Sequence, residues 1–251
     1  MSQSDTRPIA VIAIVLVVLI AGGAWWFSRS GPKPSGNASP KVVTSTEAPI
    51  DKPAPPVNLP PLDQMDDYLR PLLSALSSRP ELARWLATDD LVRQLAMALD
   101  QSSAGNSPAR DFKAVKPPAP FTSSSRGGKG TVDPASYHRY DGLVTTITSI
   151  DASKVAQIYK TIHPRLNEAY QGLGHANGNV DQAVQRTLDL LIDTPVVKDP
   201  IVIRETGSAG WAYDDGDLES LMPAQKQLLR MGAANVDRLL VWLRALQNAL
   251  R

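Results

Sequence analysis

Hydrophobic positions along this chain fall into three regimes. Residues 9–27, IAVIAIVLVVLIAGGAWWF, form one apolar run without a charge. Residues 28–61 show no period at all. From Leu62 onward apolar side chains return every third or fourth residue, the spacing of amphipathic helices. About 19 helical residues at 1.5 Å each reach roughly 28 Å, close to the thickness of a bilayer's hydrocarbon core. The first regime therefore predicts a membrane span, with Trp25 and Trp26 as an interfacial aromatic belt.

The third regime resolves into helices by its punctuation. Leu62, Met65, Tyr68 or Leu69, Leu72, Leu73 and Leu76 recur at helical spacing, with Pro71 inside the pattern as a kink or a restart. Pro80 opens a helix carrying Leu82, Trp85 and Leu86. Thr88-Asp89-Asp90 supplies a cap and first-turn carboxylates for the next, which holds Leu91, Leu95, Ala98 and Leu99. Asp133-Pro134 restarts helix, with Tyr137, Tyr140, Leu143 or Val144, and Ile147 on its apolar side. Asp151 caps a helix whose Val155, Ile158, Ile162, Leu166 and Tyr170 keep the rhythm through Pro164 until Gly172 and Gly174 stop it. Asn179 with Gln182 resembles a capping box ahead of Val180, Val184, Leu188 and Leu191. Pro223 opens a long final helix, jointed at Gly232. The one β-like run is Pro200 to Arg204, which Gly210-Trp211-Ala212-Tyr213 is placed to pair with.

These elements predict an all-α, multi-helix globular domain with at most a minor β-hairpin near 200–213, behind one N-terminal transmembrane helix. The organisation is a short tail at 1–8, the span at 9–27, a Pro-rich flexible linker at 28–61 and a helical domain at 62–251. Within that domain 102–132 reads as a long loop, rich in Pro, Ser and Gly. An uncleaved anchor is expected over a cleaved signal peptide, because the apolar run continues through Gly22-Gly23-Ala24 into Trp25, Trp26 and Phe27. A short N-terminal tail before a long C-terminal domain places the bulk of the chain outside the cytoplasm. The linker, leaning to extended polyproline conformations, acts as a stalk.

Composition narrows the chemistry. A net charge of +1 offers no basic field to gather phosphates, so nucleic acid is not the expected partner. With no cysteine there are no disulfides, thiolate zinc sites or cysteine nucleophiles, and the 3 histidines lack metal-ligand spacing. No cofactor or metal is expected. The run Arg126-Gly127-Gly128-Lys129-Gly130 has the wrong spacing for a phosphate loop, and no GxSxG or SxxK motif occurs. Asp214, Asp215, Asp217 and Glu219 do not meet the EF-hand pattern and read as helix-start carboxylates.

Two surface features remain. Lys226, Arg230 and Arg244 fall in one stripe opposite the apolar face of the final helix, either a contact for an anionic partner or a solvated face. His163, Arg165 and Glu168 form the best polar cluster on the 151–173 helix, with capping or pairing across Pro164 as the plain explanation.

The stretches LPPLDQMDDYLRPLLSALSSRPELARWLATDDLVRQLAMALD, YHRYDGLV, IYKTIHPRLNEAYQGLG and LMPAQKQLLRMG resemble the bacterial family of domain of unknown function 3014, from about Leu59 to the C-terminus. PAQKQLLRMG is the most specific piece. Ala233-Ala234-Asn235 departs from the family's Pro-Glu-Asn and argues against a sharp helix break there. The resemblance implies a single-span, Pro-linked protein of the bacterial envelope. On that basis the chain is expected in the inner membrane with its C-terminal domain in the periplasm. Its partners are the bilayer, through 9–27, and other envelope proteins; the oligomeric state stays open. The resemblance carries no activity with it. The expected function is a noncatalytic interaction or assembly module. The competing reading is an envelope hydrolase or small-ligand-binding domain with its site near the 151–173 helix.

Overall fold

The structure, a computed structural model, describes residues 58–108, 111–112, 116–117, 119–126, 128–198, 200–206 and 210–251. The expected span at 9–27 and nearly all of the linker lie outside the described residues. Among the described residues no helix is long and apolar enough to cross a membrane.

A single 3₁₀ turn at Leu62–Gln64 leads into α1 (Met65–Ser74), α2 (Pro80–Leu86) and α3 (Leu91–Ser103). Strands β1 (Ser123–Arg126) and β2 (Lys129–Val132) follow, then α4 (Pro134–His138), α5 (Asp141–Thr148), α6 (Ala152–Gln171) and α7 (Val180–Ile192). Strands β3 (Val202–Thr206) and β4 (Gly210–Tyr213) precede α8 (Gly216–Ser220), α9 (Pro223–Leu229) and α10 (Ala233–Leu250). The fold is mostly helical with a small antiparallel sheet.

The periodic leucines do what their spacing requires. Met65, Leu69 and Leu73 of α1, Leu95 and Leu99 of α3, Ile158, Ile162 and Leu166 of α6, and Leu239, Leu243 and Leu246 of α10 are buried in one core. Helix α3 packs on α6 and α7, and α10 closes the bundle against α5, α6 and α7. Three caps agree with the punctuation, whereas Asp90, expected to cap α3, has a positive φ and makes no side-chain cap. Asp133 accepts from Ala135 N–H, Asp151 from Ser153 and Lys154 N–H, and Asn179 from Asp181 N–H. Prolines 80, 134 and 223 each sit in the first turn, where a missing N–H costs nothing. Helix α6 runs unbroken through Pro164, and α1 through Pro71.

Three expectations change. The stretch at 102–132 is not one loop: α3 extends through Ser103, Phe112 is buried, and 123–132 forms a β-hairpin. The hairpin near 200–213 is accordingly half of a four-stranded sheet in the order β1-β2-β3-β4, with Gly130 opposite Ile203 and Ile203 opposite Tyr213. The domain's packed part also begins earlier than Leu62, because Leu59 is buried.

The final helix is two helices. Gly232 has φ 80 and ψ 156, a region open in practice to glycine alone. A Cβ there would lie 2.7 Å from Tyr137 Cγ. The break is set by Gly232 itself, so the missing Pro-Glu-Asn does not keep the helix continuous.

Candidate functional site

Beneath the sheet lies a second, smaller core made of Val132, Ile201, Ile203, Tyr213 and Leu229. It forms because β2 and β3 turn one face inward against α4 and the end of α9. Strand alternation is visible in β3, where Ile203 is buried and its neighbours Val202 and Arg204 are exposed. The sheet does not seal against the helices. A cavity of about 20 Å³ remains, room for a single water. Phe121, Tyr137 and Trp211, each half-buried, line it together with the buried aliphatics and Arg139 and Arg230.

Arg139 is the unusual wall residue. It follows α4 directly, where the chain turns into α5. Its Nε donates to the Ser136 carbonyl at 2.8 Å and its Nη1 to the Ala119 carbonyl at 3.4 Å. The guanidinium lies over the rings of Phe121 and Tyr140, 5.6 and 5.0 Å from their centroids. Its Nη2 is buried without a hydrogen-bond partner. Burial pushes the Arg139 pKa down, and the charge of nearby Arg230 adds to that against the field of Tyr140. Burial also raises the phenol of Tyr137, and it pushes that of Tyr213 up to about 12. Tyr213 O–H donates to the Lys226 carbonyl at 3.2 Å.

The basic stripe does not survive the break at Gly232. Lys226 turns back into the protein, its Nζ 2.7 Å from Glu219 Oε1, while Glu219 Oε2 accepts from Tyr213 N–H at 2.9 Å. Arg230 donates from Nη1 to Gln227 Oε1 at 2.8 Å and borders the cavity. Arg244 is exposed on α10, a different helix from Lys226. Helical spacing was the right signal only for one continuous helix.

The cluster on α6 also divides. Arg165 donates from Nε to the Pro60 carbonyl at 2.7 Å and from Nη2 to the Leu59 carbonyl at 3.1 Å, with Glu168 Oε2 2.6 Å from Nη1. Arg165 thus clamps the segment entering the domain, and Glu168 orients the clamp. His163 points elsewhere: its Nε2 lies 3.0 Å from Asp181 Oδ2. Tyr159 donates its O–H to the other oxygen of that carboxylate and meets the His163 ring edge-on. The result is a polar latch between α6 and the first turn of α7. Sequence spacing brought out neither Asp181, 18 residues from His163, nor Arg139. The cue in the sequence is an arginine set between tyrosines in Tyr137-His138-Arg139-Tyr140.

The other candidate clusters resolve into local structure. Asp215 caps α8 by accepting from Asp217 and Leu218 N–H, and Asp214 pairs with Lys129 at 2.9 Å. His138 meets Asp141 and His175 meets Asp100. Among the described residues no group of three His, Cys, Asp or Glu side chains is placed to hold a metal ion.

These features define a mostly helical domain with a small sheet that covers an arginine-walled cavity. The family model described as "Protein of unknown function (DUF3014)" matches residues 91–247, more than half of the chain, and the protein belongs to that family. The match begins at the first residue of α3, leaving α1 and α2 outside it. Neither a comparison with curated proteins nor one with solved structures finds a match.

The segment Pro223–Gly232 has a physical account within this frame. Gln225 donates to the Leu190 carbonyl, and Gln227, fully buried, donates to Tyr140 O at 3.2 Å. Lys226 holds Glu219, Arg230 borders the cavity, and Gly232 makes the break. The polar residues of PAQKQLLRMG join the sheet to the bundle.

Proposed function

We propose that this protein is a membrane-tethered, noncatalytic interaction module of the bacterial envelope, held to the inner membrane through residues 9–27 with its C-terminal domain in the periplasm. The observation that supports it best is the Arg165 clamp on the Leu59 and Pro60 carbonyls. It fixes the point at which the Pro-rich stretch meets the folded body. A defined attachment point matters for a domain that works by being held near something else. The residues that suggested a site on the 151–173 helix serve this clamp and the α6–α7 latch, which weighs against a hydrolase there.

Proximity labelling from the folded domain in living cells tests the proposal. The expected result is a restricted set of envelope proteins that disappears when residues 9–27 are deleted. Labelling of cytoplasmic proteins alone, or a C-terminal reporter active only in the cytoplasm, overturns it.

A further inference from the structure

Helix α10 gives Val236, Leu239, Leu243 and Leu246 to the core. On its outer side stands Val241, 64% exposed, the most exposed of the large apolar side chains among the described residues. Its surroundings are held in place. Trp242 Nε1 donates to the Ile150 carbonyl at 2.7 Å, and Arg238 Nη2 donates to the hydroxyls of Thr145 and Thr148 at 3.2 and 3.0 Å. Val241, Trp242 and Ala245 line one side of a shallow groove that the turn from α5 to α6 borders at Ile150. The groove is open to solvent, so it encloses no small ligand and suits a helix lying along it. Charge decides which helix. Asp237 and Arg244 are both exposed, one turn before Val241 and one turn after it. Seven residues separate them, about 10 Å along the axis, too far to pair with each other. Among the described residues neither makes an ion pair. A second α10 laid antiparallel, with the two Val241 side chains in contact, brings each Asp237 level with the partner's Arg244. Arg238, on the opposite flank, then faces the partner's Ala245. A parallel pair sets Asp237 against Asp237 and Arg244 against Arg244, which charge forbids.

We propose that α10 docks on α10 of a second copy of this chain, antiparallel about a two-fold axis at Val241, with two reciprocal Asp237–Arg244 ion pairs. The same patch serves both copies, so the assembly closes at two. A helix face about 27 Å long and about 10 Å wide offers roughly 300 Å² per copy. A stable interface takes about 800 Å² from each partner. The pair is therefore weak in dilute solution and forms where both copies are held on one surface at high effective concentration. This inference rests on reading the chain as a tethered interaction module, and it names a second copy as the partner.

The chain has no cysteine, so one introduced thiol reports on one position. Full-length Val241→Cys in membranes, treated with copper phenanthroline, should form a disulfide-linked dimer at least about fivefold faster than Gln185→Cys. Gln185 is exposed on α7 and reports chance collision. Adding Asp237→Arg to Val241→Cys sets like charges opposite and should slow the crosslink at least about threefold; adding Arg244→Asp as well should restore it. Equal rates at 241 and 185 overturn the inference, as does a rate that Asp237→Arg leaves unchanged or that the double exchange fails to restore. The unsubstituted chain supplies a second measurement. Dye-labelled at its N-terminus in supported bilayers, it should photobleach in two steps, in a share that grows with surface density; single steps at every density overturn the pairing. Chance-level crosslinking beside an unchanged labelling pattern removes the helix pair and leaves the tethered module standing. Specific crosslinking beside labelling of cytoplasmic proteins alone keeps the pair and overturns the placement in the envelope.

Discussion

Asp66 caps a helix to which it does not belong: its Oδ1 accepts the N–H of Leu91, the first residue of α3, at 2.8 Å. Its Oδ2 accepts from Asp90 N–H at 2.7 Å. One turn further along α1, Arg70 donates to the carbonyls of Leu86 and Thr88 at the end of α2. A single helix thus supplies a carboxylate to one helix start and a guanidinium to the preceding helix end, each matched to the local dipole. The device is needed because Asp90, the N-cap by position, has φ 59 and makes no side-chain cap.

Asp66→Ala should therefore cost about 1–3 kcal/mol, more than an ordinary exposed aspartate, because two helix-start N–H groups lose their acceptor. Urea denaturation checks this. Asp90→Ala should do far less through capping, and Asp90→Gly should be neutral or stabilising by up to about 1 kcal/mol, since glycine accepts a positive φ freely. If Asp66→Ala and Asp90→Ala cost the same, the cap does not come from α1.

Gly232→Ala should destabilise by about 2–4 kcal/mol, the sum of a disallowed backbone region and a methyl driven into the Tyr137 ring. Gly216→Ala, whose Cβ meets nothing within 4 Å, is the control and should stay within about 1 kcal/mol. Tyr137→Ala in the Gly232→Ala background separates the two contributions: the clash is relieved and the backbone strain is not.

The response to acid follows from one cap, Asp151, and one hydrogen-bonded carboxylate, Asp141. The hydrogen bonds from Ser153's hydroxyl and backbone hold the Asp151 carboxyl below its ordinary value. At Asp141 burial favours the neutral acid, but hydrogen bonds from Asn235 and His138 outweigh it and the carboxyl again lies low. A carboxyl whose folded pKa is depressed stabilises the fold above its unfolded pKa, about 3.9, and loses that contribution as pH falls through the folded value. The denaturation midpoint should hold steady from pH 7 to about 5 and fall below about 4. Asp151→Ala should cost about 0.5–2 kcal/mol at pH 7, with the gap to wild type closing in acid. A gap that stays constant to pH 2.5 rules out the charged cap.

Arg165→Ala should release the entry segment. Amide exchange at residues 62–64 should quicken and a protease should gain access near Leu59, while α10 keeps its protection. Arg165→Lys should not restore the clamp, because one ammonium cannot reproduce two N–H bonds from a fixed fork. Unchanged exchange at 62–64 in Arg165→Ala would mean that burial of Leu59 alone anchors the segment.

Much of the helical fold is legible in the chain. Helix signals are local: spacing of three and four residues, a capping Asp or Asn, a proline in the first turn. Asp133, Asp151 and Asn179 cap as their positions predict, and Ile158, Ile162 and Leu166 are buried on the expected face. Strand signals are not local in this way. β1 reads Ser-Ser-Ser-Arg, with no apolar alternation, and becomes a strand because β2 offers it a ladder. β2 in turn pairs with β3, more than 70 residues on, with Lys129 opposite Arg204.

What the sequence by itself determined is the helical bundle and the absence of thiol chemistry. Each follows from residue type and short-range period. What only the tertiary structure decided is which polar groups meet. Helical spacing grouped His163 with Arg165 and Glu168, and Lys226 with Arg230 and Arg244; the fold sent His163 to Asp181, Arg165 to the chain entering at Leu59, and Lys226 to Glu219. The arginine-walled cavity belongs to the same class. Arg139, Phe121 and Trp211 come from segments that no period links, and they converge because a short sheet has to bury one face somewhere.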